Sequence, residues 1–168
     1  MGRQRRAAWQ PRRHAEGAEQ DIKAPVRACV AGFRTAKALA GWYDAEARLT
    51  GFRVGGAVAG SYYPSYDIVA IVPDQLIAHR YTSVVDGVGL WSFVARGKST
   101  RVQFDHIAEG NTGTEVPSRT FHWQGLMENL AALVERRPVP VVNGVYQGKL
   151  PRGILHATMN EAVAAAKL

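Results

Sequence analysis

Apolar positions recur along this chain with two different periods, and the switches between them mark its elements. Residues 14–23 read as a polar strand ending at Ile22. After Ala24-Pro25 the side chains Val26, Cys29, Val30 and Phe33 fall at i, i+3, i+4 and i+7, one apolar stripe of a helix. Pro25 suits the opening turn, where its missing N–H leaves no intrahelical bond unmade. A second short helix is expected from Ala36 to Trp42, with Leu39, Trp42 and Tyr43 on its buried side. Its alanines favour helix and Gly41 weakens the end.

From Ala45 onward the pattern shortens towards alternation. The turn-rich Gly51-Phe-Arg-Val-Gly-Gly56 joins two expected strands, Glu46–Thr50 and Ala57–Tyr63. Tyr66–Val72 is a β-branched run ended by Pro73-Asp74, Leu76–Thr82 resumes after a tight turn, and Asp86-Gly87 marks another reversal. Val88–Ala95 and Thr100–Ile107 flank the hairpin connection Arg96-Gly-Lys-Ser99. About six consecutive short strands imply an antiparallel meander. A long helix follows from about Arg119, where Trp123, Leu126, Met127, Leu130, Leu133 and Val134 share one face. Arg136 and Arg137 oppose the helix dipole at its end, and Pro138 stops it. Residues 138–168 then read as an extended, proline-rich linker and a short C-terminal helix, which Thr158 and Glu161 would open as a capping box.

Charge changes the picture only once it is located. The net +7 of the 168 residues would suit a polyanion-binding protein if it were spread over the fold. It is not. Arg3, Arg5, Arg6, Arg12 and Arg13 sit in a start that has no acid, whereas the basic and acidic side chains of residues 14–137 cancel. Residues 1–13 therefore read as a basic disordered arm, and nucleic-acid binding rests on that arm alone. No apolar run follows these arginines, which excludes a secretory signal. No stretch has the roughly 20 apolar residues of a membrane-spanning helix. The single Cys29 excludes an internal disulfide framework and a cysteine zinc cage, and it fits a reducing, cytoplasmic setting.

Several segments resemble a known family. Asp21-Ile-Lys-Ala-Pro-Val, followed by Ala36-Lys-Ala-Leu-Ala-Gly-Trp-Tyr43, resembles the opening of START-like (SRPBCC) domains. Gly51-Phe-Arg-Val-Gly-Gly56, Val72-Pro-Asp-Gln-Leu-Ile77, Thr100-Arg-Val-Gln-Phe-Asp-His106 and Trp123-Gln-Gly-Leu-Met-Glu-Asn-Leu130 are similar to blocks of one branch, named after the activator of heat-shock-protein-90 ATPase homologue. The blocks keep their order over about residues 14–137. Val30 departs from a tryptophan of the family pattern, Arg34-Thr-Ala36 from a T-D-P turn, and Arg80 falls near another family tryptophan. The resemblance implies an α+β helix-grip (START-like, Bet v-like) domain over 14–137. In such a domain an antiparallel sheet wraps around a long C-terminal helix, with a hydrophobic cavity between them. It also implies a small hydrophobic ligand, with a chaperone as the alternative partner.

No catalytic motif stands out: there is no H-E-x-x-H, no Gly-x-Ser-x-Gly and no phosphate loop, and the five histidines are scattered. No cofactor or metal is expected. Strand alternation sets Leu76, Ala78, Arg80 and Thr82 on one face and Ile77, His79 and Tyr81 on the other. The family register would aim the first set inward, so that Arg80 favours an anionic ligand. The opposite register makes His79 and Tyr81 the polar lining, able to hydrogen-bond a ligand or move a proton. Trp91 and His106 lie on neighbouring strands, Tyr43 and Trp123 at helix ends that the family uses to frame the cavity mouth, and Met127 and Leu130 on its floor. The leading expectation is a binding module for an apolar or amphipathic molecule. The alternatives are a cyclase or hydrolase, with His79, Tyr81 or Arg80 polarising a carbonyl, and a chaperone-interacting domain.

Overall fold

Alternation over Tyr66–Ala108 and helical spacing over Trp123–Val134 organise the structure, a computed structural model. It describes residues 14–83, 85–108, 116–142 and 145–146. The strands are β1 (His14–Ile22), β2 (Arg48–Leu49), β3 (Ala57–Ala59), β4 (Tyr66–Val72), β5 (Leu76–Tyr81), β6 (Val88–Arg96) and β7 (Ser99–Ala108). They form one antiparallel sheet in the order β1-β7-β6-β5-β4-β3-β2. The meander is the expected one, and β1 closes its far side by pairing with β7 from His14↔Ala108 to Ile22↔Thr100. Helices α1 (Val26–Ala31) and α2 (Ala36–Ala40) connect β1 to β2, and α3 (Val116–Val134) follows the sheet.

The sharp reversals have local causes. Between β4 and β5, Asp74 takes a left-handed φ of 56° and Gln75 N–H reaches Val72 O at 3.0 Å, closing a four-residue turn. Gly97 turns β6 into β7 with φ 59°, a conformation glycine adopts without a Cβ clash. Thr35 caps α2 by accepting Ala38 N–H at 3.0 Å. At the end of α3, Arg136 takes φ 57°, its N–H reaches Leu133 O, and Arg137 N–H reaches Ala132 O. This is a Schellman cap with arginine at the left-handed position and Pro138 two residues on.

The inner face of the sheet and the apolar stripe of α3 share the core. Trp123, Leu126, Met127 and Leu130 are all at most 1% exposed, as are Ile22, Leu39, Val102 and Phe104. Helix α2 is pinned to α3 by Asn129 Nδ2, which donates to Trp42 O at 3.0 Å, and to α1 by Trp42 Nε1, which donates to Gly32 O at 2.8 Å. Thr100 Oγ1 donates to Ala24 O at 2.8 Å and fixes the start of α1 over β7.

Two expectations need revision. The strands read at Glu46–Thr50 and Ala57–Tyr63 shrink to two and three residues. Asp44, 2% exposed, is the reason: its Oδ1 takes Glu46 N–H, and its Oδ2 takes Tyr62 and Tyr63 N–H at 2.7 and 3.0 Å. Those donors are thereby drawn away from a ladder. Part of the linker after Pro138 pairs with itself, Val141–Val142 with Val145–Tyr146. The basic arm and the short helix expected near Ala162 lie outside the described residues.

Because one carboxylate satisfies three backbone donors, Asp44→Ala should lower unfolding free energy by about 3 kcal/mol, and Asp44→Asn by less. Urea melts of the three proteins check this.

Candidate functional site

On β5 Ile77, His79 and Tyr81 are buried together on the inward face, with Ala78 also buried and Arg80 the one exposed residue of the strand. Arg80 is exposed on the opposite face, next to Asp67 of β4 in the register. The inward placement of Arg80 implied by the family register is therefore corrected. The exposure of Arg80 against the burial of Ile77, His79 and Tyr81 decides the face, since a one-residue slip would exchange the two sets. An interior guanidinium, the basis for an anionic ligand, is not available from this residue.

The other candidates are all buried, and most of them meet. Tyr66 of β4 stacks on His79 with ring centroids 4.0 Å apart. His79 Nε2 and Tyr81 Oη lie 2.9 Å apart. Tyr81 in turn stacks on Trp123 of α3 at 5.6 Å and meets His106 of β7 edge-on at 5.3 Å. Trp123 also touches His106 and Phe104, at 5.2 and 4.8 Å. Trp91 joins through Phe104 at 4.6 Å, and Tyr43 joins through Tyr66 at 5.7 Å. Tyr43 Oη donates to Pro64 O. Met127 and Leu130 are buried in the core, Leu130 against Gly32 at the α1 end.

Two members of this constellation escaped the sequence reading. Tyr66 forms the platform under His79; its signal was a tyrosine at the inward position of an alternating strand. Gly89 of β6 is the register partner of both His79 and His106. A Cβ there would overlap His79 Nε2 and come within 2.8 Å of Tyr81 Oη, so the missing side chain is what admits the pair. A lone glycine inside a strand is the signature of such close approach.

Electrostatically His79 and the buried phenols are held neutral. Burial, with a smaller contribution from His106, pulls the His79 imidazole down to about 3, so it carries no charge near neutral pH. Burial pushes the Tyr43, Tyr66 and Tyr81 phenols up, and they keep their protons. His106 Nε2 faces Asp86 O at 2.7 Å, and because a carbonyl only accepts, that nitrogen carries the hydrogen. Among the described residues no three His, Cys, Asp or Glu side chains gather as a metal site.

Ring contacts run through the interior from Phe33, which packs edge-on against Trp42 and Trp91 at 5.0 and 5.1 Å, across to Trp123. A cavity of about 70 Å³ lies at the α1 end between Val30, Phe52, Ile77 and Phe93, under Arg34, whose guanidinium sits 5.4 Å over the Phe52 ring. An open concavity of about 340 Å³ lies over the β1–β7 pair by Gly17, Glu19 and Asp105. Neither is lined by His79, Tyr81, His106 or Trp123.

No protein-family model and no curated protein matches the chain. Solved structures do. The Aha1 dimer from Colwellia psychrerythraea aligns with a TM-score of 0.64 at 14% identity, over 73% of this chain and 96% of that one. CalU16 from Micromonospora echinospora aligns with a TM-score of 0.62 at 16% identity, over 76% and 86%. DynU16, from the dynemicin biosynthetic locus, aligns with a TM-score of 0.63 at 17% identity, over 89% of this chain and 59% of that one. The chain has the START-like helix-grip fold. Within this helix grip, β5, β6, β7 and α3 supply the ring cluster. Identities this low carry the architecture and leave the chemistry to the residues themselves.

The neutrality of buried His79 has a pH signature. Its folded pKa lies below the unfolded value of about 6.5, so its contribution is complete above that value and is lost as pH falls towards 3. Stability should drop by up to about 1.4 kcal/mol per pH unit below 6.5 on this account. Melting curves between pH 7 and pH 5 should show a slope that His79→Gln flattens. Gly89→Ala should cost about 1–3 kcal/mol by overpacking the His79–Tyr81 pair, as urea melts would show.

Proposed function

We propose that the chain captures a small apolar or amphipathic molecule on its ring-lined inner face, where Tyr81, His106 and Trp123 meet. One observation carries this reading: Tyr43, Tyr63, Tyr66, Tyr81, His79 and His106 bring polar tips into an interior where phenylalanine or leucine would pack without desolvating them. Aromatic walls with a few fixed polar groups are the usual lining of a small-molecule site. The fold shared with the solved structures is compatible with such a role and names no ligand.

The protonation states favour holding over transforming. A base is effective when its pKa lies near the working pH, and His79 at about 3 lies far below it. The raised phenols are equally poor proton donors in a transfer step, although they hydrogen-bond well. A cyclase or hydrolase would need an activated group that these residues do not supply. The likeness to the Aha1 dimer is one of fold, and no particular side chain adds a chaperone contact to it.

Native mass spectrometry of gently purified protein should show a retained small molecule, and the neutral dye Nile red should bind and be displaced by it. Tyr81→Trp, which adds bulk beside His106 and Trp123, should weaken the dye about tenfold or more, roughly 1.4 kcal/mol, without changing the far-ultraviolet dichroism. Unchanged affinity would place the dye elsewhere. A chain lacking residues 1–13 should bind the dye as the full chain does, and a loss would assign the arm to the site.

A further inference from the structure

We infer that the site selects an uncharged molecule, one whose hydrogen-bond acceptor, a ketone, ester or ether oxygen, takes the Nδ1–H of His79. The inference rests on the capture reading and specifies the chemistry of what is captured.

The hydrogen-bond inventory around His79 supports it. The side chain is 1% exposed, stacked on Tyr66, with Nε2 2.9 Å from Tyr81 Oη. Nδ1 has no hydrogen-bond partner among the described residues. Two tautomers are open to a neutral imidazole. A hydrogen on Nε2 would point at Tyr81 oxygen, leave the Tyr81 hydroxyl hydrogen without an acceptor, and leave the Nδ1 lone pair unused. A hydrogen on Nδ1 lets the Tyr81 hydroxyl rotate to donate to Nε2, and only the Nδ1–H remains unmet. The second arrangement orphans fewer groups, and each buried orphan costs about 1–3 kcal/mol. Gly89 and Tyr81 close the Nε2 side, so a new partner must come to Nδ1. What that hydrogen lacks is an acceptor.

Charge decides the rest. Among the described residues the buried charged or polar set is Asp44, His79, Thr100, His106 and Asn129, with no lysine or arginine. Arg80 is exposed on the other face, so a carboxylate ligand would be buried without a cation, at a penalty of several kcal/mol. Asp44, the one buried carboxylate among the described residues, already takes three backbone N–H groups, and its negative potential adds to the burial that pushes up the Tyr43 and Tyr63 phenols. Burial holds His79 uncharged in the free protein, so an anion would meet a neutral donor there. A cationic head would meet the Nδ1–H donor. His106 commits its Nε2–H to Asp86 O. A neutral acceptor is the ligand group left.

Three probes of one ring size separate these cases on the full chain: naphthalene, 2-acetylnaphthalene and 2-naphthoate. Calorimetric titration should show the ketone binding at least about tenfold tighter than either of the others. Long-range proton–nitrogen spectra of ring-labelled histidine should show His79 hydrogen-bearing at Nδ1 in the free protein, with that nitrogen shifting when the ketone binds. In His79→Phe the preference for ketone over naphthalene should vanish. If that variant does not fold, the tautomer and the affinity ratios of the unaltered protein decide. A hydrogen on Nε2, or 2-naphthoate binding as tightly as the ketone, overturns the inference. Equal binding of all three probes overturns it while leaving capture itself standing. Binding of none removes both.

Discussion

Trp123 is the seam of this molecule. One ring on α3 touches Tyr81 of β5 and both Phe104 and His106 of β7, so it ties the helix to the sheet at the level of the polar cluster. Large rings bury much area in each such contact, which is what lets one side chain hold the helix to two strands. The positions of Tyr81 and His106 follow from this contact, and that of His79 follows from Tyr81. The polar groups are thus set by packing, which gives them fixed positions without a charged network.

The elements with strong period were legible in the sequence. The strands from Tyr66 to Ile107 and the stripe from Trp123 to Val134 needed only alternation and helical spacing. The shortening of β2 and β3 was not legible, because it comes from Asp44 bonding to donors 18 and 19 positions away. Nothing local distinguishes that aspartate from an exposed one. The face of Arg80 shows a different failure. Alternation separated the two faces of the strand without choosing between them, and the register borrowed from the resemblance aimed Arg80 inward. Local hydrophobic patterning outweighed alignment to a distant pattern, since a one-residue slip would have buried Arg80 and exposed Ile77.

The candidate site was half legible. His79, Tyr81, His106 and Trp123 could be named from residue type, but their convergence depends on the sheet order and on β1 pairing with β7. Tyr66 and Gly89 act through cross-strand neighbours, which a single sequence does not reveal. The solved structures that share this architecture at 14–17% identity make the same point from the other side. A helix grip can be reached by many sequences, so whatever is particular to this chain resides in the rings and their protons.

The gap at Gly89 has a consequence for how this protein can change over time. Any side chain there collides with the imidazole of His79, so positions 79, 81 and 89 are not free to drift one by one. A lineage that gains a Cβ at 89 must first, or simultaneously, shrink residue 79. Among relatives of this chain, then, an alanine or larger residue at 89 should travel with a smaller residue at 79, and the glycine should travel with the histidine.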